Sequence, residues 1–153
     1  HCISSAASDV YKRQEFKYEK LTQEFLHEWH KKQPINRDIV EIAKILKNNG
    51  YNLFVLSNMA NQTYEYFKND EFFSLCTGIV ISAHEHVKKP DEKVYRLLLN
   101  RYNLNAEECL FIDDDDSGKN YETANKIGIK GRRIMPNQAE DVKKLLLEFN
   151  VEI

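Results

Sequence analysis

The stretch Leu110-Phe111-Ile112-Asp113-Asp114-Asp115-Asp116 decides the fold: an apolar run, then four carboxylates in a row. A short unbroken apolar run marks a strand buried on both faces, as in a parallel sheet. Open parallel sheets bind ligands at the carboxyl ends of their strands, so the aspartates stand where such a sheet presents its chemistry. Two unit charges about 4 Å apart repel by roughly 4 kcal/mol at an effective dielectric near 20. Carboxylates gathered at a strand end therefore need a cation or protons to offset them. The other reading is a solvated acidic turn, and Ser117-Gly118 has turn chemistry.

Outward from that stretch the same grammar repeats. Ile35, Ile39, Ile42 and Leu46 lie at helical spacing, with Asn36 as N-cap and Gly50 as a stop. Leu53 to Leu56 reads as a buried strand and is followed by Ser57 and Asn58. A helix is expected over residues 61–68. Gly78 then opens a second strand, Ile79 to Ile81, followed by Ser82 and, further on, by Lys88, Lys89 and Pro90. Pro90 fits the first turn of a helix whose apolar stripe is Val94, Leu97, Leu98 and Tyr102. Asn120 to Ile127, closed by Gly128, reads as a helix, and Arg132 to Met135 as a weak fourth strand. Ala139, Val142, Leu145, Leu146 and Phe149 mark a last amphipathic helix. Alternating strands and helices predict a Rossmann-like α/β fold, a three-layer arrangement with helices on both faces of a parallel sheet. On that sheet a hydroxyl, an ammonium and carboxylates meet along one edge: Ser57, Lys89 and the aspartates.

The ordered set VLSN, VKKPDEKVY and LFIDD, followed by Asn120, Ala124 and Gly128, resembles the second, third and fourth motifs of haloacid dehalogenase-type hydrolases of subfamily I. The resemblance implies Ser57 and Lys89 as catalytic and, with Asn58, as phosphate-binding. It implies Asp113 and Asp114 as ligands of Mg2+. Asn120 lies further from Asp114 than the family's spacing requires, so Asp115 and Asp116 form the alternative metal pair. The family's first motif, an Asp-x-Asp after a strand, supplies nucleophile and general acid, and its strand lies mid-sheet between those ending at Ser57 and at Asp113. No such motif precedes Ser57; Asp9 follows no apolar strand. The resemblance thus implies a sheet without its central first strand and a chain without turnover of its own. The implied reaction is hydrolysis of a small phosphorylated metabolite through an aspartyl-phosphate.

Three segments follow. Residues 1–14 form a tail, its stretch SAASDVYKRQ resembling a translated sequencing adapter. Residues 15–35 are expected to be the remnant of a helical cap, with Leu21, Phe25 and Trp29 on one helical face, and residues 36–153 the α/β core.

Composition narrows the function. The chain has 153 residues and a formal net charge of −2, which gives no broad pull toward nucleic acid or anionic lipid. No apolar run is long enough for a membrane span. Three scattered cysteines, Cys2, Cys76 and Cys109, make a poor disulfide framework and suit a reducing cytoplasm. Oligomeric state is not legible. His84 and His86 would share one side of an extended segment but lack a third ligand, and His27 and His30 read as surface residues. Tyr64, Tyr66, Phe67, Phe72 and Phe73 read either as the lining of a substrate mouth or, the commoner use of such residues, as core and helix packing. The competing functions are a 2-haloacid dehalogenase, which shares the Ser-Asn and Lys-Pro motifs but works without metal, and a non-catalytic or receiver-like binding domain. A receiver carries its acids early in the chain, and here they come late.

Overall fold

The computed structural model describes residues 34–136 and 138–153. The expected tail, the face of Leu21, Phe25 and Trp29, and the readings of Cys2, Asp9, His27 and His30 lie outside the described residues.

Local chemistry starts the first helix, α1 (Arg37–Asn48): the Asn36 carboxamide accepts from the N–H groups of Asp38 and Ile39. Gly50, at φ +88°, turns the chain out of it. Strand β1 (Phe54–Ser57) follows, then α2 (Asn61–Phe67), α3 (Glu71–Leu75), β2 (Gly78–Ile81) and α4 (Ser82–Glu85). Next come α5 (Glu92–Arg101), a 3-10 turn at Ala106–Glu108, β3 (Leu110–Asp113), α6 (Lys119–Lys126), β4 (Lys130–Arg133) and α7 (Ala139–Glu148).

β1 pairs in parallel with β2, placing Ser57 opposite Ile81, and β3 pairs in parallel with β4, placing Asp113 opposite Arg133. Among the described residues these are two separate two-stranded ladders. Side chains join them. On one face Val80, Val94, Tyr95, Leu98 and Ala124 form a buried cluster that takes in Phe54 and Leu56 of β1 and Phe111 of β3. On the other, Ile42, Leu46, Ala139 and Leu146 collect Leu53, Leu110 and Ile112. The alternation of Leu110, Phe111 and Ile112 between the two clusters is the two-residue period of a strand covered on both faces. The architecture is Rossmann-like α/β.

Several elements differ from the sequence reading for identifiable reasons. Pro90 precedes the N-cap of α5 rather than occupying its first turn, because the Asp91 carboxylate accepts the Lys93 N–H and starts the helix there. The buried face of α5 is Val94, Tyr95, Leu98 and Leu99, with Leu97 and Tyr102 only partly covered. Strand β4 begins at Lys130 rather than Arg132. Its Gly131 lies so close to α6 that an added Cβ would fall 2.4 Å from the Tyr121 carbonyl oxygen, and Lys130, Arg132 and Arg133 are residues of the strand itself. Helix α3 is too short for a periodic apolar signal. It forms because Asp70 accepts the Phe72 N–H while taking a two-pronged bond from Arg37, and Phe73 is buried beneath it. Helix α4 replaces the extended segment expected around His84, and His86 ends it in the left-handed region at φ 54°. The two histidines therefore do not share one side of a strand.

Candidate active site

Ser57 is the last residue of β1 and Asp113 the last of β3, and Lys89 connects the two strand ends. Asn58 follows Ser57, and its side chain grips the Lys89 backbone at both polar atoms: Oδ1 accepts the Lys89 N–H at 2.8 Å and Nδ2 donates to the Lys89 carbonyl at 2.9 Å. The Lys89 side chain then reaches the other ladder, where Nζ donates to Asp113 Oδ2 at 2.5 Å. Both side chains are largely withdrawn from solvent, 10% and 7% exposed. Nζ also lies 5.3 Å from the centre of the Phe111 ring. The Ser57 hydroxyl, half-buried at the end of β1, has no hydrogen-bond partner among the described residues. The Lys89–Pro90 peptide is cis.

The aspartates do not converge. Asp113 Oδ1 accepts from Asn120 Nδ2 at 2.9 Å and from the Asp115 N–H at 3.0 Å, so both its oxygens are engaged. Asp115 turns back on its own loop. It accepts the Ser117 hydroxyl at 2.6 Å and the Asn120 N–H at 3.3 Å, and those bonds, the Ser117 hydroxyl first, hold its carboxyl below the usual carboxylate range. Asp116 points outward, 88% exposed, and pairs with Arg133 at the end of β4. Asp114 is exposed and has no polar partner among the described residues. The charge problem posed by four adjacent carboxylates is thus met largely inside the protein, by Lys89, Arg133 and backbone N–H groups. The extra residues of the loop are spent on the turn from Asp115 to Gly118, whose N–H reaches the Asp115 carbonyl at 3.1 Å. In the alternative metal register, Asp115 is bonded within this turn and Asp116 is paired with Arg133. Asp113 and Asp114 remain at the strand exit.

No group of three or more His, Cys, Asp or Glu side chains is arranged around a metal position among the described residues. The oxygen donors at this strand exit are the sheltered Asp113 and the exposed Asp114, and a hard cation such as magnesium binds through one or two carboxylates and keeps its remaining positions for water and phosphate. His84 is engaged otherwise: its Nε2 lies 2.8 Å from Asn61 Oδ1, and its ring meets Tyr64 edge-on.

Three residues of this region escaped the sequence reading. Asn120 was legible as a helix start and a motif position but not as a partner of Asp113, which it steadies from a buried place. Tyr95, 0% exposed, donates its hydroxyl to the Asn120 carbonyl at 2.9 Å. Burial first, then the charges of Asp113 and Asp115, push its phenol above the usual tyrosine range, so it stays a donor. The pairing of Arg133 with Asp116 depends on the register of β3 against β4, which has no local sequence signal. A polar residue at the head of an apolar helix was the available hint for Asn120; Tyr95 was hidden among core residues.

A family model described as haloacid dehalogenase-like hydrolase matches residues 4–133. A search of curated proteins finds no significant match. Solved structures share the fold. An uncharacterized protein from Corynebacterium glutamicum is similar over 79% of this chain and 89% of its own, at 20% identity and a TM-score of 0.61. A HAD family enzyme from Bacteroides thetaiotaomicron, in complex with magnesium and inorganic phosphate, is similar over 64% of this chain and 52% of its own, at 18% identity and a TM-score of 0.53. A dehalogenase with an intermediate bound is similar over 71% of this chain and 54% of its own, at 18% identity and a TM-score of 0.58. The chain therefore spans little more than half the length of the latter two. No helix among the described residues is long and apolar enough to cross a membrane.

Proposed function

The chain belongs to the haloacid dehalogenase-like hydrolase family, and from that premise we propose that it carries the phosphate- and magnesium-holding part of a phosphohydrolase acting on a small phosphate monoester. The observation that carries the reading is the buried contact of Lys89 with Asp113, together with a Ser57 hydroxyl at the end of β1 that has no hydrogen-bond partner among the described residues. An ammonium held at that point offsets negative charge on an incoming phosphoryl group. The Ser57 hydroxyl donates to one of its oxygens and fixes its orientation. Asp114, with Asp113, would hold magnesium, which when bound neutralises charge on the phosphoryl oxygens. Asn120 and Tyr95 keep the Asp113 carboxylate from rotating away from Lys89.

The attacking carboxylate of such a reaction becomes an aspartyl-phosphate that water then cleaves. No Asp-x-Asp follows an apolar run ahead of Ser57, so the reading assigns this chain binding without turnover. The half-buried, unpaired thiols of Cys76 and Cys109 suit a reducing cytoplasm. The magnesium and phosphate of the Bacteroides neighbour support the ligand class. The dehalogenase neighbour, like the Bacteroides one, resembles this chain in fold alone, and it is the carboxylates at the exit of β3 that favour a metal-assisted reaction over a metal-free one.

Calorimetric titration of the full chain with inorganic phosphate, with and without magnesium, tests the proposal. Phosphate binding that strengthens with magnesium, is reversed by chelator, and comes without hydrolysis of an aryl phosphate is expected. Phosphate binding indifferent to magnesium, or turnover of a 2-haloacid, would rule it out.

A further inference from the structure

Asn58 spends both polar atoms of its side chain on one residue, and that residue is the site's buried cation. The two bonds, 2.8 and 2.9 Å, close a ring between the Asn58 carboxamide and the Lys89 peptide groups. On the far side of Lys89 the chain closes again, where the Asp91 N–H donates to the Lys88 carbonyl at 2.9 Å. The lysine backbone is thus fixed from two directions, while its flexible four-carbon stem runs past Phe111 to Asp113. Asn58 belongs to the exit of β1 and Asp113 to the exit of β3, and the two ladders share no strand among the described residues. The path Asn58–Lys89–Asp113 is a polar link between them.

We propose that Asn58 is a positioning residue: it holds the Lys89 backbone so that the ammonium stands between Asp113 and the place a phosphoryl group would take next to Ser57. The proposal rests on the phosphate reading for what Lys89 does, but not for where Asn58 holds it. A carboxamide that merely closed a surface loop would stabilise the fold and leave the lysine head group unaffected. A positioning residue transmits its loss to Nζ and to whatever Nζ binds.

The test uses the full chain and two readouts. The first is the NMR signal of the Lys89 ε-methylene, assigned by its disappearance in Lys89→Arg and recorded without phosphate. In Asn58→Ala this signal should move to the position of an exposed lysine, and Asp113→Asn should move it the same way. In Asn58→Asp, which keeps an acceptor for the Lys89 N–H, it should stay closer to the wild-type position. The second readout is affinity for inorganic phosphate with magnesium. Loss of two hydrogen bonds predicts a drop of about tenfold in Asn58→Ala, and no further drop when the same change is made in a Lys89→Met background. A Lys89 signal that stays put in Asn58→Ala would overturn the proposal, and so would an affinity loss of equal size in the Lys89→Met background. Should Asn58→Ala fail to fold, Asn58→Asp and Asn58→Ser carry both measurements. A wild-type chain that ignores phosphate would count against the phosphate reading alone, and the Lys89 signal would still decide this one.

Discussion

Lys89 and Asp113 face each other at 2.5 Å across two ladders that share no strand among the described residues, and each keeps about a tenth or less of its side chain in solvent. Removing one partner of so sheltered a pair leaves the other charge without compensation. Lys89→Met should therefore destabilise the chain by about 3 kcal/mol, more than Asp113→Asn, after which the flexible Lys89 stem can carry its ammonium out to solvent. Urea unfolding of the two variants checks the order. Equal midpoints for Lys89→Met and wild type would show the pair to be energetically idle.

Tyr95→Phe deletes one hydroxyl and little else. The lost bond is to the Asn120 carbonyl in a fully buried setting, so about 1 kcal/mol of stability should go with it. A cost indistinguishable from zero would place a water or another donor on that carbonyl.

Gly131 offers a steric prediction. A methyl group there would meet the Tyr121 carbonyl oxygen at 2.4 Å, a backbone atom that cannot swing aside. Gly131→Ala should cost roughly 2 kcal/mol by forcing α6 off β4. At Gly78 the obstacle is the Tyr102 ring, whose hydroxyl also accepts the Ile79 N–H at 3.1 Å. Thermal unfolding that leaves Gly131→Ala at the wild-type midpoint would contradict the close approach of α6 and β4.

The strands, the long helices and the order of the candidate residues were legible because each is written locally. An apolar run ended by Ser57 or Asp113, and caps such as Asn36 and Gly50, need no distant partner to be read. What was not legible depends on pairings made at long range. Four adjacent carboxylates read as one cradle, but Arg133 and Ser117 draw Asp116 and Asp115 out of it. Asn58 read as a phosphate contact; the bonds its amide makes to the backbone of a residue 31 positions away had no local signal. Tyr95 read as nothing at all, since a phenol inside an apolar face looks like core until its hydroxyl finds Asn120.

Asp70 sets a pH dependence. Its bond from Arg37, then the Phe72 N–H, hold its carboxyl below the usual carboxylate range. A depressed folded-state value means the interaction contributes stability above the unfolded pKa, about 4, and loses it as pH falls through the folded value. Asp70→Asn keeps an acceptor for the cap and gives up the charge. Its stability should fall less steeply than wild type below pH about 4, with the gap narrowed by salt because Arg37 is well exposed. Parallel acid-titration curves for the two proteins would contradict this.

The most direct check is to add inorganic phosphate and magnesium to isotope-labelled chain and follow backbone amides by NMR. Shifts should appear together at Ser57, Asn58, Lys89 and Asp114 and weaken together in Lys89→Met, with Asp116 little moved. Shifts confined to one strand exit, or centred away from Lys89, would mean that these groups do not hold one ligand.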